Sequence, residues 1–173
     1  MLLEHAIARL SPQVSDLAVN TNSTDAAFAR TGLALIADAT PDFRGPLAGI
    51  LAALTWARSI KAAAVVTVAV DTPLIPLDLV ARFKGGADTI AVAQSASGLH
   101  PTCALWPLNV ETALSDWLSA GQSLRVTDFL TAQPVAKIWF DAENGLDPFF
   151  NVNFEGDTAI VEAHLRNGLD GQR

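Results

Sequence analysis

The chain has 173 residues, half of them apolar, and its 11 Lys and Arg against 18 Asp and Glu give a formal net charge of −7. That length suits one domain, 1–173, with a real core, and is short for two. Scattered cations on an acidic chain argue against nucleic acid or an anionic membrane surface as partner, though not against one anionic small molecule held by local groups.

No apolar run reaches the length of a bilayer span. Met1-Leu2-Leu3 is followed at once by Glu4 and His5, which is no signal-peptide pattern, and Cys103 stands alone. These features fit a reducing cytoplasm and exclude an internal disulfide or a cysteine zinc cluster.

Apolar residues at 2, 3, 6, 7 and 10 make a helical stripe, and Pro12 follows its end. Residues 17–19 read as a short strand. It runs into Asn20-Thr21-Asn22-Ser23-Thr24, a polar turn that offers Ser23 or Thr24 as N-cap to a helix over 25–30. Gly32 ends that helix, and residues 33–36 form a second strand followed by Asp38. After a loop over 39–44, Gly45-Pro46-Leu47-Ala48-Gly49 opens a helix to about Ser59. Pro46 suits a first helical turn, and Gly45 lets backbone approach a ligand closely.

Residues 62–76, AAAVVTVAVDTPLIP, organise the rest. A short unbroken run of small and β-branched apolar residues reads as a strand buried on both faces of a parallel sheet. Pro73 cannot donate to a ladder, so the strand stops there. Asp71 is left at its carboxyl end, where open α/β sheets place their ligands. A carboxylate there is a hard oxygen donor suited to Mg²⁺ shared with a nucleotide's phosphates.

A helix over 76–83, ended by Gly85-Gly86, is followed by a strand over 89–94, a loop over 95–100 and a returning strand over 101–106. Helices over 110–120 and 124–131, a strand over 137–140, a loop over 141–150 and a terminal helix over 157–167 complete the chain. Strands alternating with helices make the class α/β with a mostly parallel sheet, in which the segments flanking His100 form an antiparallel excursion.

Three polar residues follow strands, Asn20, Asp38 and Asp71, and Asn151 or Asn153 follows the last. Each alone reads as a turn residue or cap. Together, around an acid on a buried strand, they read as a site. The turn at 45–49 is equally an anion cradle at a helix start or a tightly packed helix start. His100 lies in a loop, where a lone histidine is usually solvated; Arg125 and Lys137 could meet a phosphate or only solvent. No P-loop, dinucleotide fingerprint, nucleophile elbow or zincin motif is present.

GPLAG at 45–49, VDTPLIP at 70–76, HPTCALW at 100–106 and NVN at 151–153 together resemble the molybdenum cofactor guanylyltransferases, part of a nucleotidyltransferase superfamily. VNTN at 19–22 and the spacing from Asp38 to Gly49 fit as well. The resemblance covers nearly the whole chain, and HPTCAL with a late NVN is closer to the molybdopterin members than to other sugar or cofactor nucleotidyltransferases. It implies a Rossmann-like fold with helices on both faces of the sheet. It implies transfer of GMP from GTP to Mo-molybdopterin with release of pyrophosphate. Asp71 would bind Mg²⁺ and the nucleotide; Asn20, Asp38, Gly45, Pro46 and Leu47 would also contact the nucleotide. His100, Arg125, Asn151 and Asn153 would face the pterin phosphate. Molybdenum-insertion proteins and molybdoenzyme chaperones are the implied protein partners.

One departure stands out. The family opens with a strand, a glycine-rich loop, an Arg-Met-Gly segment and a lysine that wrap and neutralise the nucleotide phosphates, and Met1-Leu2-Leu3-Glu4 falls where the family's first helix begins. The expectation is a sheet without its usual first, central strand, leaving a gap of roughly twice the ~4.8 Å ladder spacing and exposed ladder edges. A late recorded start, a shortened chain or a degenerate relative would each give this pattern, and the first is favoured because everything downstream keeps to the family. On that reading the 173-residue chain has little or no transferase activity and one extended upstream has it. The rival readings are a nucleotidyltransferase for another acceptor, using CTP or a sugar phosphate, and an inactive nucleotidyltransferase-like binding module.

Overall fold

The computed structural model describes residues 2–38, 45–85, 88–154, 156–157, 159–161 and 163–164. The chain runs α1 (Leu2–Leu10), β1 (Ala18–Asn20), α2 (Ala26–Ala29), β2 (Ala34–Ile36), α3 (Pro46–Ser59), β3 (Ala64–Thr67), α4 (Leu79–Lys84), β4 (Ile90–Ser95), β5 (Gly98–Pro107), α5 (Val110–Ser119), α6 (Val126–Thr131) and β6 (Val135–Trp139). The expected loop at 39–44 and the end of the terminal helix lie outside the described residues. No helix among the described residues is long and apolar enough to cross a membrane.

The strands form two sheets. β1 and β2 pair in parallel, with Val19 opposite Leu35. The second sheet has the order β3-β5-β4-β6. β5 runs antiparallel to both neighbours, whereas β4 and β6 are parallel. β3, β4 and β6 therefore share one direction, and β5 is the antiparallel excursion expected around His100.

Alternation along β4 and β5 explains why helices cover both faces, since successive side chains point to opposite sides. Ile90, Val92, Ala104 and Trp106 join a core with Leu54 of α3, Leu114 of α5 and Phe129 of α6. Ala91, Ala93, Cys103 and Leu105 join the opposite core with Leu10 of α1, Leu79 and Phe83 of α4, and Phe140 and Phe149. Cys103 is buried, and burial pushes its thiol pKa far above the usual range, so it is inert packing.

Trp106 is wholly buried, and its polar handle is satisfied: Nε1 donates to Thr67 Oγ1 at 2.8 Å, and that hydroxyl donates to the Thr102 carbonyl at 2.8 Å. Thr67→Val keeps the side-chain shape but strands the indole N–H. We expect it to cost about 1–3 kcal/mol, measurable by urea denaturation, whereas Thr67→Ser should cost less because the acceptor remains.

Several boundaries differ from the sequence reading for local reasons. Asp25, not Ser23 or Thr24, caps α2: its Oδ1 accepts from the Ala27 N–H at 2.8 Å, while Ser23 Oγ accepts from the Asp25 N–H one turn earlier. Residues 95–100 are not a loop. β4 and β5 continue through Ser95 and Gly98 as a tight hairpin in which Gly98, at φ 124°, takes a conformation side chains disfavour. The ladder of β3 ends at Thr67, so Asp71 lies beyond it in a turn, with the Thr72 N–H and Oγ1 both donating to the Ala69 carbonyl. The expected gap is present. Among the described residues β1 pairs only with β2 and β3 only with β5, and the residues of both strands border one cleft of about 770 Å³ that α1 and α3 also line.

Candidate active site

β1 and β2 end side by side, and their parallel register brings Asn20 and Asp38 together. Asn20 Nδ2 donates to the Ile36 carbonyl and to Asp38 Oδ1, both at 3.0 Å. Asn22 Nδ2 donates to Asp38 Oδ2 at 2.9 Å, and Asn22 Oδ1 accepts from the Asp38 N–H at 2.9 Å. Two amides thus fix one carboxylate at an exposed strand end. A carboxylate only accepts, so its remaining lone pairs suit a ligand edge bearing N–H or O–H donors.

The start of α3 closes the other side. Gly45, at φ 65°, precedes Pro46, and its carbonyl accepts from the Ala48 N–H at 3.1 Å to open the helix. Gly49 lies one turn on, and a Cβ there would sit 2.3 Å from Asn20 Oδ1. The glycine is what lets the helix lie against the Asn20 amide. Asn20, Asp38, Gly45, Pro46 and Gly49 line a pocket of about 400 Å³. Leu47 does not line it. Its side chain is wholly buried in the core shared with α5.

Asp71 is placed by backbone. Its carbonyl accepts from the Val152 N–H at 2.8 Å, which draws the Asn151-Val152-Asn153 segment against the turn after β3. Asp71 Oδ1 is buried and has no hydrogen-bond partner. A buried acceptor left unpaired is costly, and such atoms persist where something else uses them. Asp71 does not line the Asn20 pocket; Val70, just before it, lines the adjoining cleft. Asn151 and Asn153 are exposed, and Asp157 Oδ2 accepts from the Asn153 and Phe154 N–H groups at 2.9 Å, holding the segment's exit.

His100 belongs to a polar cluster that the sequence hid. Its Nε2 meets Ser95 Oγ at 2.8 Å, and Ser95 Oγ donates to Asp147 Oδ2 at 2.6 Å. The imidazole stacks on Phe149, with centroids 4.4 Å apart, which links it to the segment leading to Asn151. Burial works against the Asp147 carboxylate, but hydrogen bonds from Ser95, the Phe149 N–H and Ser97, with His100, outweigh it and hold its pKa below the usual value. Burial lowers the pKa of His100, against the opposing pull of Asp147. Ser95 and Asp147 gave no signal in sequence, because one ends a strand and the other is 52 positions away.

The sign of the His100 shift gives a test. The folded imidazole protonates at lower pH than the unfolded one, so its contribution to stability is complete above the ordinary histidine pKa. It is lost as pH falls from there through the folded value. Denaturant midpoints should decline across that window, and the decline should be shallower in His100→Gln.

Arg125 stands apart. It is the exposed N-cap of α6, and its N–H donates locally to Ser123 Oγ at 3.3 Å. No trio of His, Cys, Asp or Glu arranged to hold a metal occurs among the described residues, so a cation here would draw most of its ligands from substrate and water. Geometry thus yields a pocket at Asn20, Asp38 and Gly49 and, apart from its lining, a buried unpaired carboxylate oxygen at Asp71, whose backbone holds Val152.

Residues 1–135 match the model of the MobA-like NTP transferase domain. A molybdenum cofactor guanylyltransferase of Cereibacter sphaeroides is 41% identical over 167 residues, covering 96% of this chain and 83% of that protein. One of Mesorhizobium japonicum is 42% identical over 173 residues, with the same shares covered. Among solved structures, the molybdopterin-guanine dinucleotide biosynthesis protein A of Archaeoglobus fulgidus has a TM-score of 0.70 at 17% identity, covering 96% of this chain and 86% of that one. The 2-C-methyl-D-erythritol 4-phosphate cytidylyltransferase of Thermus thermophilus has a TM-score of 0.66 at 16% identity, covering 96% and 89%. The two structural likenesses carry the fold, the family match and the curated relatives carry kinship, and on both the chain belongs to the MobA-like NTP transferases.

Proposed function

We propose that this chain is a molybdenum cofactor guanylyltransferase, which transfers GMP from GTP to Mo-molybdopterin and releases pyrophosphate. The observation that carries the reading is Asp71 Oδ1, a buried carboxylate oxygen with no hydrogen-bond partner in the turn after β3. The names of the relatives support the choice of nucleotide and acceptor.

Asp38, held by Asn20 and Asn22, receives the donor-bearing side of the guanine nucleotide. Gly45 and Pro46 shape the wall beside it. Asp71 would hold Mg²⁺, and the fit is good: the unused oxygen is a hard donor, and Mg²⁺ is often bound through one or two carboxylates plus substrate phosphates and water. The ion supplies charge neutralisation on the phosphate oxygens. The protein's own share is positioning, because nucleotidyl transfer brings two anions together and needs little covalent help. Asn151 and Asn153 present exposed amide donors to the acceptor phosphate; Arg125, which stands apart at the start of α6, is assigned no part in it. His100, packed on Phe149, supports the Asn151 segment and faces the pterin.

The test is incubation with GTP, Mg²⁺ and Mo-molybdopterin, with the dinucleotide read by mass spectrometry and nucleotide choice by competition among GTP, CTP and ATP. Preferential GTP binding and a guanine dinucleotide support the reading. Preferential CTP binding moves it to cytidylyl transfer. A melt unmoved by any nucleotide with Mg²⁺ favours a binding module, because a ligand that binds only the native state must raise its stability.

A further inference from the structure

Ser95 closes β4 with only 3% of its surface exposed, and its hydroxyl has one proton to place. That proton goes to Asp147 Oδ2, 2.6 Å away. His100 Nε2 lies 2.8 Å from the same Oγ. A bare nitrogen there would face a lone pair, so Nε2 must carry a proton and donate it. Nδ1 has no hydrogen-bond partner among the described residues. Burial lowers the pKa of the ring, so near neutral pH Nδ1 is an unused acceptor. The order is not that of an activated nucleophile, since the carboxylate takes the serine proton and leaves the imidazole none to remove.

The same carboxylate works in a second direction. Asp147 Oδ1 accepts from the Phe149 N–H at 2.8 Å, and the Asp147 carbonyl accepts from the Phe150 N–H at 3.0 Å. Phe149 is buried, with its ring 4.4 Å from that of His100 and 5.2 Å from that of Phe140. One side chain thus ties the β4–β5 hairpin to the turn that launches Asn151-Val152-Asn153, and the next anchor is the Val152 N–H on the Asp71 carbonyl.

Resting on the transferase reading, in which His100 and the late asparagines meet the acceptor, we propose that Asp147 and Ser95 are positioning residues for that acceptor: Asp147 fixes the start of the 151–153 segment and, through Ser95, holds the His100 proton on Nε2. The ligand chemistry follows. A bare Nδ1 suits the ring N–H groups of a pterin and repels a phosphate oxygen, so the phosphate falls to the asparagine amides. An apolar pair in place of Ser95 and Asp147 could fill the space, but it could not set the tautomer.

Asp147→Asn is the sharpest variant. The Phe149 N–H keeps the amide oxygen on its side, so the new NH₂ group turns to Ser95 and donates. The serine proton is then freed towards Nε2, and the imidazole proton moves to Nδ1. Side-chain nitrogen NMR, without nucleotide and at a pH where the ring is neutral, should show His100 as Nε2–H in the wild type and mainly Nδ1–H in Asp147→Asn. Affinity for hydroxymethylpterin phosphate should fall about tenfold in Asp147→Asn and in Ser95→Ala, while affinity for GTP with Mg²⁺ changes by less than about twofold. Ser95→Thr keeps the hydroxyl and should keep both the tautomer and the pterin affinity. A wild-type ring in the Nδ1–H form, or a tautomer unmoved by Asp147→Asn, would overturn the inference. So would equal losses for pterin and GTP, or a lowered melting temperature with both affinities kept, either of which would make the pair a structural bond. If wild type and variants all bind the pterin phosphate equally, the inference alone fails. A wild-type chain that does not bind it removes the acceptor side of the transferase reading, and the inference with it.

Discussion

Gly49→Ala should weaken GTP binding by about ten- to a hundredfold while leaving thermal stability nearly unchanged. The new methyl would sit 2.3 Å from Asn20 Oδ1, far inside contact distance. Asn20 is exposed and can swing away, so the strain is relieved by giving up its bonds to Asp38 and the Ile36 carbonyl rather than by unfolding. Water can take over from these exposed bonds, so together they contribute on the order of 1 kcal/mol net, and replacing a helical glycine by alanine returns roughly 0.5–1 kcal/mol. The two nearly cancel in stability. They do not cancel in binding, because Asp38 loses one of the two amides that aim it. Isothermal titration with GTP beside a thermal melt reads both quantities. A large fall in melting temperature with unchanged affinity would mean that Gly49 serves packing alone.

Asp71→Asn should act in the opposite sense on the two observables. GTP binding in Mg²⁺ should fall about ten- to a hundredfold, whereas binding in EDTA should not change, because the lost group serves the metal and not the base. In any chain that turns over, pyrophosphate release should drop by about 10²–10³-fold. The melt should be unchanged or slightly higher, since the wild-type chain buries a carboxylate oxygen that nothing in the protein satisfies, and a neutral amide of the same shape costs less there. A destabilised Asp71→Asn variant that still binds Mg²⁺-GTP normally would make Asp71 a structural residue.

The parts of the site that were legible in sequence are those fixed by local chemistry. An acid, a threonine and a proline after a β-branched run read as a strand leaving the sheet, which put Asp71 near the end of β3, although the ladder closes four residues earlier at Thr67. Both readings of the 45–49 turn make it a helix start, and α3 begins there. Asn20 and Asp38 were legible as strand ends, but their direct bond depends on the register of β1 against β2, which no single-residue property reports. The contact between Ser95, His100 and Asp147 depends on the β4–β5 hairpin and on where the late loop returns. The hairpin itself was misread as a loop because Ser95, Ser97, Gly98 and Pro101 are all turn formers, and pairing overrode that local preference. Leu47 was grouped with the nucleotide on motif grounds, and helix geometry turned its side chain into the core. The divided sheet was expected only through the resemblance, from the place of the family's first strand, and the cleft bordered by β1 and β3 is where it shows.

The most direct test uses paramagnetic Mn²⁺ in place of Mg²⁺, with GTP, on the isotopically labelled chain. The account predicts that backbone signals of Asp71, Thr72 and Val152 broaden most, while the side-chain amides of Asn20 and Asn22 shift on adding nucleotide alone. Broadening centred on another group of acids, with Asp71 unaffected and the Asn20 and Asn22 amides unmoved by GTP, would contradict it.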